Sequence, residues 1–188
     1  MRKLKTAVFG VFMISVGVFL MGAADPNNAL GGKKMALELV SSVFTDGEMI
    51  PQTYTGDGQD ISPPLNWTSP SENTKSFCLV ADDPDAPRGT WVHWVIYNIP
   101  PSVNGLPEGV EPNEVVFEGI RQGVNDFGNI GYGGPAPPAG KPHRYFFKLY
   151  ALDSVIDLKP GATKADLMRA IQGRVIEEAI LMGKYKRD

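Results

Sequence analysis

The nine residues Trp91-Val92-His93-Trp94-Val95-Ile96-Tyr97-Asn98-Ile99 decide the fold. In extended chain, successive side chains point to opposite faces. Here both alternating sets are largely apolar: Trp91, His93, Val95, Tyr97 and Ile99 on one side, Val92, Trp94 and Ile96 on the other. A strand that is apolar on both faces is covered on both faces, so this one predicts a central position in a layered β structure. Working outward, Ser76–Ala81 reads as a short apolar strand, Arg144–Leu152 as another strong one, and Met35–Val43 as a first strand. Thr55–Trp67 is so rich in turn formers that it reads as ordered loop. Thr163–Met182 is the one convincing helical region. Thr163 stands at the N-cap with Asp166 in the capping-box position, and Leu167, Ala170, Ile171, Val175 and Ala179 supply an apolar stripe. Gly173 is placed to split that region into two short helices. The expected architecture is mostly β, with short C-terminal helices packed on a sheet.

The chain of 188 residues has the size of one domain, and 43% hydrophobic against 21% charged residues is an ordinary globular balance. Twenty-one Gly and 16 Pro favour a turn-rich β architecture over a helical bundle. A single cysteine excludes an intrachain disulfide framework and a Cys-rich zinc site. It is Cys78, inside the apolar run Phe77–Val80, where a buried structural role is expected.

Residues 1–24 read as an export signal. Arg2, Lys3 and Lys5 form a basic start, Ala7–Met21 is uncharged and mostly apolar, and Gly22-Ala23-Ala24 suits cleavage before Asp25. The alternative is a retained membrane anchor, because the apolar stretch approaches the ~20 residues that span a bilayer. Either outcome places the folded part outside the cytoplasm, periplasmic or secreted in the first case and membrane-anchored in the second. Residues 25–34 read as a flexible tether and residues 35–188 as the β domain. Loss of residues 1–24 takes three basic and no acidic side chains from a chain of net charge −3, leaving −6. That balance argues against a nucleic-acid partner.

Two segments could carry chemistry. The first is Asp82-Asp83-Pro84-Asp85-Ala86-Pro87-Arg88-Gly89, a proline-stiffened, carboxylate-loaded turn that leads into the strand bearing His93. The second runs from Gly119 to Pro142 and holds seven Gly and four Pro among 24 residues. A loop that long inside one domain is usually functional or disordered, and its Asn125, Asp126, Phe127 and Tyr132 are not linker residues. It ends at His143-Arg144-Tyr145, where His143 and Tyr145 share one strand face and Arg144 points away, with an ion pair as its default role. The chain has only two histidines, and both border Pro/Gly-rich loops. If His93 lies on the neighbouring wall, two imidazoles and a phenol converge on a pit whose donors suit phosphate, a phosphate ester or a carboxylate. A carboxylate such as Asp83 would hold one imidazole tautomer and favour the charged ring. The bland alternative is a satisfied core histidine. A metal triad lacks His-x-His or His-x-x-x-His spacing, a serine hydrolase lacks its Gly-x-Ser-x-Gly elbow, and neither a P-loop nor a dinucleotide fingerprint is present. No metal and no cofactor is expected.

At these segments the chain resembles the phosphatidylethanolamine-binding protein family, most closely its bacterial, Raf-kinase-inhibitor-like branch. The resemblance rests on Asp83–Pro87, Trp91–Asn98, Gly134–Gly140 leading to His143–Phe146, Asp60–Trp67 and Asn125–Gly128, and spans roughly residues 36–186. It implies a large antiparallel sheet packed with a smaller one, and a small anion pocket. By motif position Asp83, His93, His143 and Tyr145 are its polar residues, with Pro87, Gly134, Pro137 and Pro138 as its wall. The implied function is a non-enzymatic module for phosphate-type or carboxylate ligands, including phospholipid headgroups. The alternatives are a protein-interaction module or inhibitor using the pocket and the 119–142 loop, and, more weakly, a hydrolase with a histidine base. An exported protein has no access to cytoplasmic kinases, so kinase inhibition does not transfer.

Overall fold

In the computed structural model, residues 36–68 and 71–187 are described. The expected signal or anchor at 1–24 and the tether at 25–34 lie outside them. Eight strands and one helix follow in order: β1 (Leu39–Ser41), β2 (Leu65–Trp67), β3 (Ser76–Asp83), β4 (Trp91–Ile99), β5 (Gly105–Leu106), β6 (Arg121–Gln122), β7 (His143–Leu152), α1 (Lys164–Ala170) and β8 (Val175–Tyr185). They form a five-stranded sheet in the order β6-β4-β3-β7-β8 and a three-stranded sheet in the order β1-β2-β5. Every strand pair is antiparallel. This is the large-plus-small sheet arrangement that the resemblance implied.

The large sheet is covered on both faces. One face packs against the small sheet, burying Phe77, Leu79, Trp94, Ile96, Phe147 and Leu149 with Leu39, Leu65, Trp67 and Leu106. The other packs against α1, burying Cys78, Val80, Val95, Tyr97 and Tyr150 with Leu167 and Ile171. Alternation along β3 divides its side chains between the two cores, which is why the whole strand reads as one apolar run. Cys78 is fully buried, as expected.

Three sequence expectations need correction. The region Thr163–Met182 is not helical throughout. The capping box at Thr163 and Asp166 forms, but α1 ends at Ala170, and Gly173 (φ +75°) turns the chain into β8. Beyond that turn the apolar set is read with period two: Ala179, Leu181 and Gly183 are buried while Glu178 and Ile180 are exposed. Ala179, which fitted the helical stripe, fits this alternation equally well, whereas Val175, at the start of β8, is exposed. The last three residues of the Thr55–Trp67 loop are β2, paired on both sides. And β4, although buried on both faces, stands second from the edge; β3 is the central strand.

The two faces of β4 also differ from simple alternation. Ala81 pairs with Trp94 but Asp82 with Val92, and Phe77 pairs with Ile99 but Cys78 with Tyr97. His93 and Asn98 are therefore the extra residues of two β-bulges. Asn98 takes φ +57° and is held by a reciprocal pair of bonds with the Ile156 backbone. Because of the bulges, Trp94 and Ile96 join the core under the small sheet, while Val92, Val95 and Tyr97 face α1.

Candidate functional site

A cavity of about 270 Å³ opens where the end of β3 and the starts of β4 and β7 meet. Its polar walls are Asp83, His93, His143 and Tyr145, joined by Pro87, Pro137 and Pro138. Seven of the eight residues read from the sequence thus line one hollow. The eighth, Gly134, does not. It stands behind the wall, where its N–H donates to Asp60 Oδ1 at 2.6 Å and a Cβ would meet the Thr55 backbone at 2.7 Å. Its role is close packing beneath the Pro135–Pro138 segment. Ala86, Arg88, Trp91, Phe127 and Ala136 complete the lining. Trp91 could have been found, since it stands two residues from His93 on the same strand; Phe127 carried only the signal of an aromatic in a glycine-rich loop.

Strand alternation sends the adjacent carboxylates Asp82 and Asp83 to opposite faces. Asp82, fully buried, bonds Lys148 Nζ at 2.8 Å and Lys164 Nζ on the α1 side. Asp83 faces the cavity. Its Oδ1 accepts the Asp85 backbone N–H at 2.8 Å, and its Oδ2 lies 2.8 Å from His143 Nδ1. A carboxylate oxygen only accepts, so this contact places a hydrogen on His143 Nδ1. Arg144 points away, as strand geometry required, and binds Asp85 through two nitrogens at 2.8 and 2.7 Å. That guanidinium lowers the Asp85 carboxyl to about 2.

His93 is 4% exposed. The bulge aims its ring at the loop, where Nδ1 lies 2.6 Å from the Gly133 carbonyl oxygen, while the Gly133 N–H donates to the His93 carbonyl at 2.9 Å. A Cβ at Gly133 would meet the Phe127 ring at 2.7 Å and push that ring from its place. The rings of Phe127 and Tyr145 stand steeply inclined to the imidazole, at centroid distances of 5.5 and 5.1 Å. Burial lowers the His93 pKa below its ordinary value, against the opposing pull of the Gly133 bond, Asp83 and Asp126. Burial also raises that of the Tyr145 phenol, helped by Asp83, so it stays protonated. The Tyr145 hydroxyl and Trp91 Nε1 are buried without a hydrogen-bond partner among the described residues. A buried orphan of this kind costs about 1–3 kcal/mol, which a ligand that satisfies it recovers.

The proline wall is fastened from behind by Arg187. Its guanidinium binds Asp57 through Nε and Nη2, and Nη1 donates to the carbonyls of Ala136 and Pro137 at 3.4 and 3.3 Å. Tyr185 adds a hydroxyl bond to Asp57 at 3.0 Å. No serine, threonine, cysteine or lysine is among the residues lining the cavity. Among the described residues, no three His, Cys, Asp or Glu side chains are grouped to hold a metal ion.

The sequence profile described as Phosphatidylethanolamine-binding protein matches residues 40–186. A UPF0098 protein of Methanothermobacter thermautotrophicus is 51% identical over 151 residues, covering 80% of this chain and 99% of the relative. Among solved structures, the putative phosphatidylethanolamine-binding protein homolog CT736 of Chlamydia trachomatis superposes with a TM-score of 0.75 at 41% identity, covering 81% of this chain and 99% of the other. E. coli YbcL, described as a new member of the mammalian PEBP family, gives 0.77 at 33% identity, covering 82% of this chain and 100% of the other.

Proposed function

The chain belongs to the phosphatidylethanolamine-binding protein family, and from that premise we propose that it is an exported, non-enzymatic receptor for a small oxyanion of phosphate or carboxylate type. One observation carries this reading. Two imidazoles, a phenol and an indole from β4 and β7 line one cavity of about 270 Å³, and the phenol and indole polar atoms lack partners. The volume suits a phosphate-sized headgroup with part of what it is attached to. The lining offers no activated nucleophile, which favours binding over hydrolysis. A phospholipid headgroup and a soluble phosphorylated compound both present this chemistry.

The test is a titration with inorganic phosphate, followed by the NMR signals of both histidine rings. His93 and His143 should move together with one dissociation constant. Absence of any change in either ring at millimolar phosphate overturns the reading. Export is checked separately by N-terminal sequencing of the protein recovered from its host, with a start at Asp25 expected; recovery of intact Met1 in the cytoplasm refutes it.

A protein-interaction role is favoured by one feature only. Phe127, 44% exposed, stands at the cavity and packs on Trp91 and His93. If a protein partner docks there, Phe127→Ala abolishes its capture.

A further inference from the structure

We infer that this cavity selects oxyanions that bring a proton of their own, and that His93 makes the selection; the inference rests on the anion reading above and narrows its ligand class. The geometry begins with the Gly133 carbonyl, which can only accept. At 2.6 Å it fixes the hydrogen of His93 on Nδ1. The polar atom that His93 has left for the cavity is then Nε2. In a neutral ring whose hydrogen is on Nδ1, Nε2 holds a lone pair and accepts.

Whether the ring stays neutral depends on what faces it. From β3 come Asp83 and, behind it, Asp82; from β7 come His143 and Tyr145; from the loop come Asp126 and the Phe127 ring. The three carboxylates favour a charged imidazole. Each is already engaged: Asp83 with His143 and the Asp85 N–H, Asp126 with the Val92 N–H at 2.7 Å, Asp82 with two lysines. Burial of the 4%-exposed ring outweighs them, and the balance is toward the neutral form.

The site is therefore not a set of donors alone, as the sequence suggested. Tyr145 can donate to a ligand oxygen and His143, when protonated, can donate through Nε2. His93 asks for a hydrogen in return. An oxyanion without one sets lone pair against lone pair at a buried atom, and a site that is built for an O–H rejects an analogue that lacks it. Hydrogen phosphate and singly protonated phosphate monoesters satisfy both demands. Sulfate and phosphodiesters carry no O–H on the anion, so a diester headgroup is disfavoured relative to a monoester.

Calorimetric titration at pH 6.0 with inorganic phosphate, methyl phosphate, dimethyl phosphate and sulfate tests this, since a phosphomonoester still holds a proton near that pH. Methyl and dimethyl phosphate are the decisive pair, standing for a monoester and a diester source. Phosphate and methyl phosphate should bind at least ~10-fold more tightly than sulfate and dimethyl phosphate. Equal binding of all four overturns the proton selection and leaves the anion reading intact. Binding of none overturns both. His93→Gln, which can turn an amide N–H to the ligand, should bring the four within about threefold. If that variant fails to fold, the 15N signals of His93 in the wild-type phosphate complex decide. Nε2 should resonate as an unprotonated nitrogen at pH 6.0, and a protonated Nε2 refutes the inference.

Discussion

Gly134→Ala isolates the packing behind the cavity from the cavity itself. A Cβ at this position would stand 2.7 Å from Thr55 Cα, 2.8 Å from the Thr55 carbonyl carbon and 2.8 Å from Asp60 Oδ1. Carbon atoms prefer about 3.5–4.0 Å, so the loop must back away by close to 1 Å against backbone that cannot rotate aside. Overpacking of this kind costs about 1–3 kcal/mol. The same movement stretches the 2.6 Å bond from the Gly134 N–H to the Asp60 carboxylate, and loss of a bond to a charged group adds about 1.5–3 kcal/mol. Partial loss of each gives an expected destabilisation of about 2–4 kcal/mol, or a fall in Tm of roughly 5–15 °C for a domain of this size. Urea denaturation measures the first number and calorimetry the second. Phosphate binding should weaken as well, because Pro137 and Pro138 follow Gly134 in the chain and form the wall. Gly47→Ala is the control. Gly47 has φ +81° with nothing within 4 Å of its would-be Cβ, so it pays only the backbone penalty of about 1–2 kcal/mol and leaves binding unchanged. A Gly134→Ala protein that loses less than about 0.5 kcal/mol and binds phosphate normally would refute the packing role.

The buried Asp82 gives a cooperative prediction: Lys148→Met or Lys164→Met alone should cost at most about 1 kcal/mol, whereas the double variant leaves an unpaired carboxylate and should cost about 3–5 kcal/mol, more than the sum of the two, as read from a double-mutant cycle. Additive single effects would refute the shared role. Asp85, held at about 2 by Arg144 against an ordinary 3.8, contributes stability that is fully present above pH 4 and is lost as pH falls toward 2. The stability gap between wild type and Arg144→Gln should therefore close over that window, and a gap independent of pH would show that the pair is not its source. Cys78 is fully buried and burial raises its thiol pKa, so labelling by a thiol reagent at pH 8 should proceed only at the rate of unfolding. Rapid labelling of the native protein would show an opening in the core between the large sheet and α1.

Much of this was legible from residue patterns, for reasons that differ by element. β4 and β7 were found to within one residue because each is long and apolar against turn-rich flanks. β8 was misread because Ala179 satisfies a helical stripe and a strand alternation alike, the exposed Val175 extends the apparent stripe, and only Gly173 marks the change. β2, β5 and β6, of two or three residues each, are too short to show any period. Parity alone placed His143 and Tyr145 together. It failed along β4, where bulges at His93 and Asn98 shift the faces, because a bulge depends on the partner strand and has no pattern of its own. The contact between His93 Nδ1 and the Gly133 carbonyl, 40 residues away in the chain, had no signal in the sequence around either residue. Gly134 had the right neighbourhood and the wrong surface, since a glycine's use lies in what it admits behind it.

The Arg187 anchorage has a practical corollary. Arg187 itself is bonded to the carbonyls of the proline wall, so a handle joined beyond it would tug on the very contact that a binding sensor is meant to read. Val155, 66% exposed just past the far end of β7, is a better mooring point. The ten residues of β7 place that end about 30 Å from His143. A cysteine introduced there would be the sole accessible thiol, given the burial of Cys78, and would leave the hollow free to face the analyte stream.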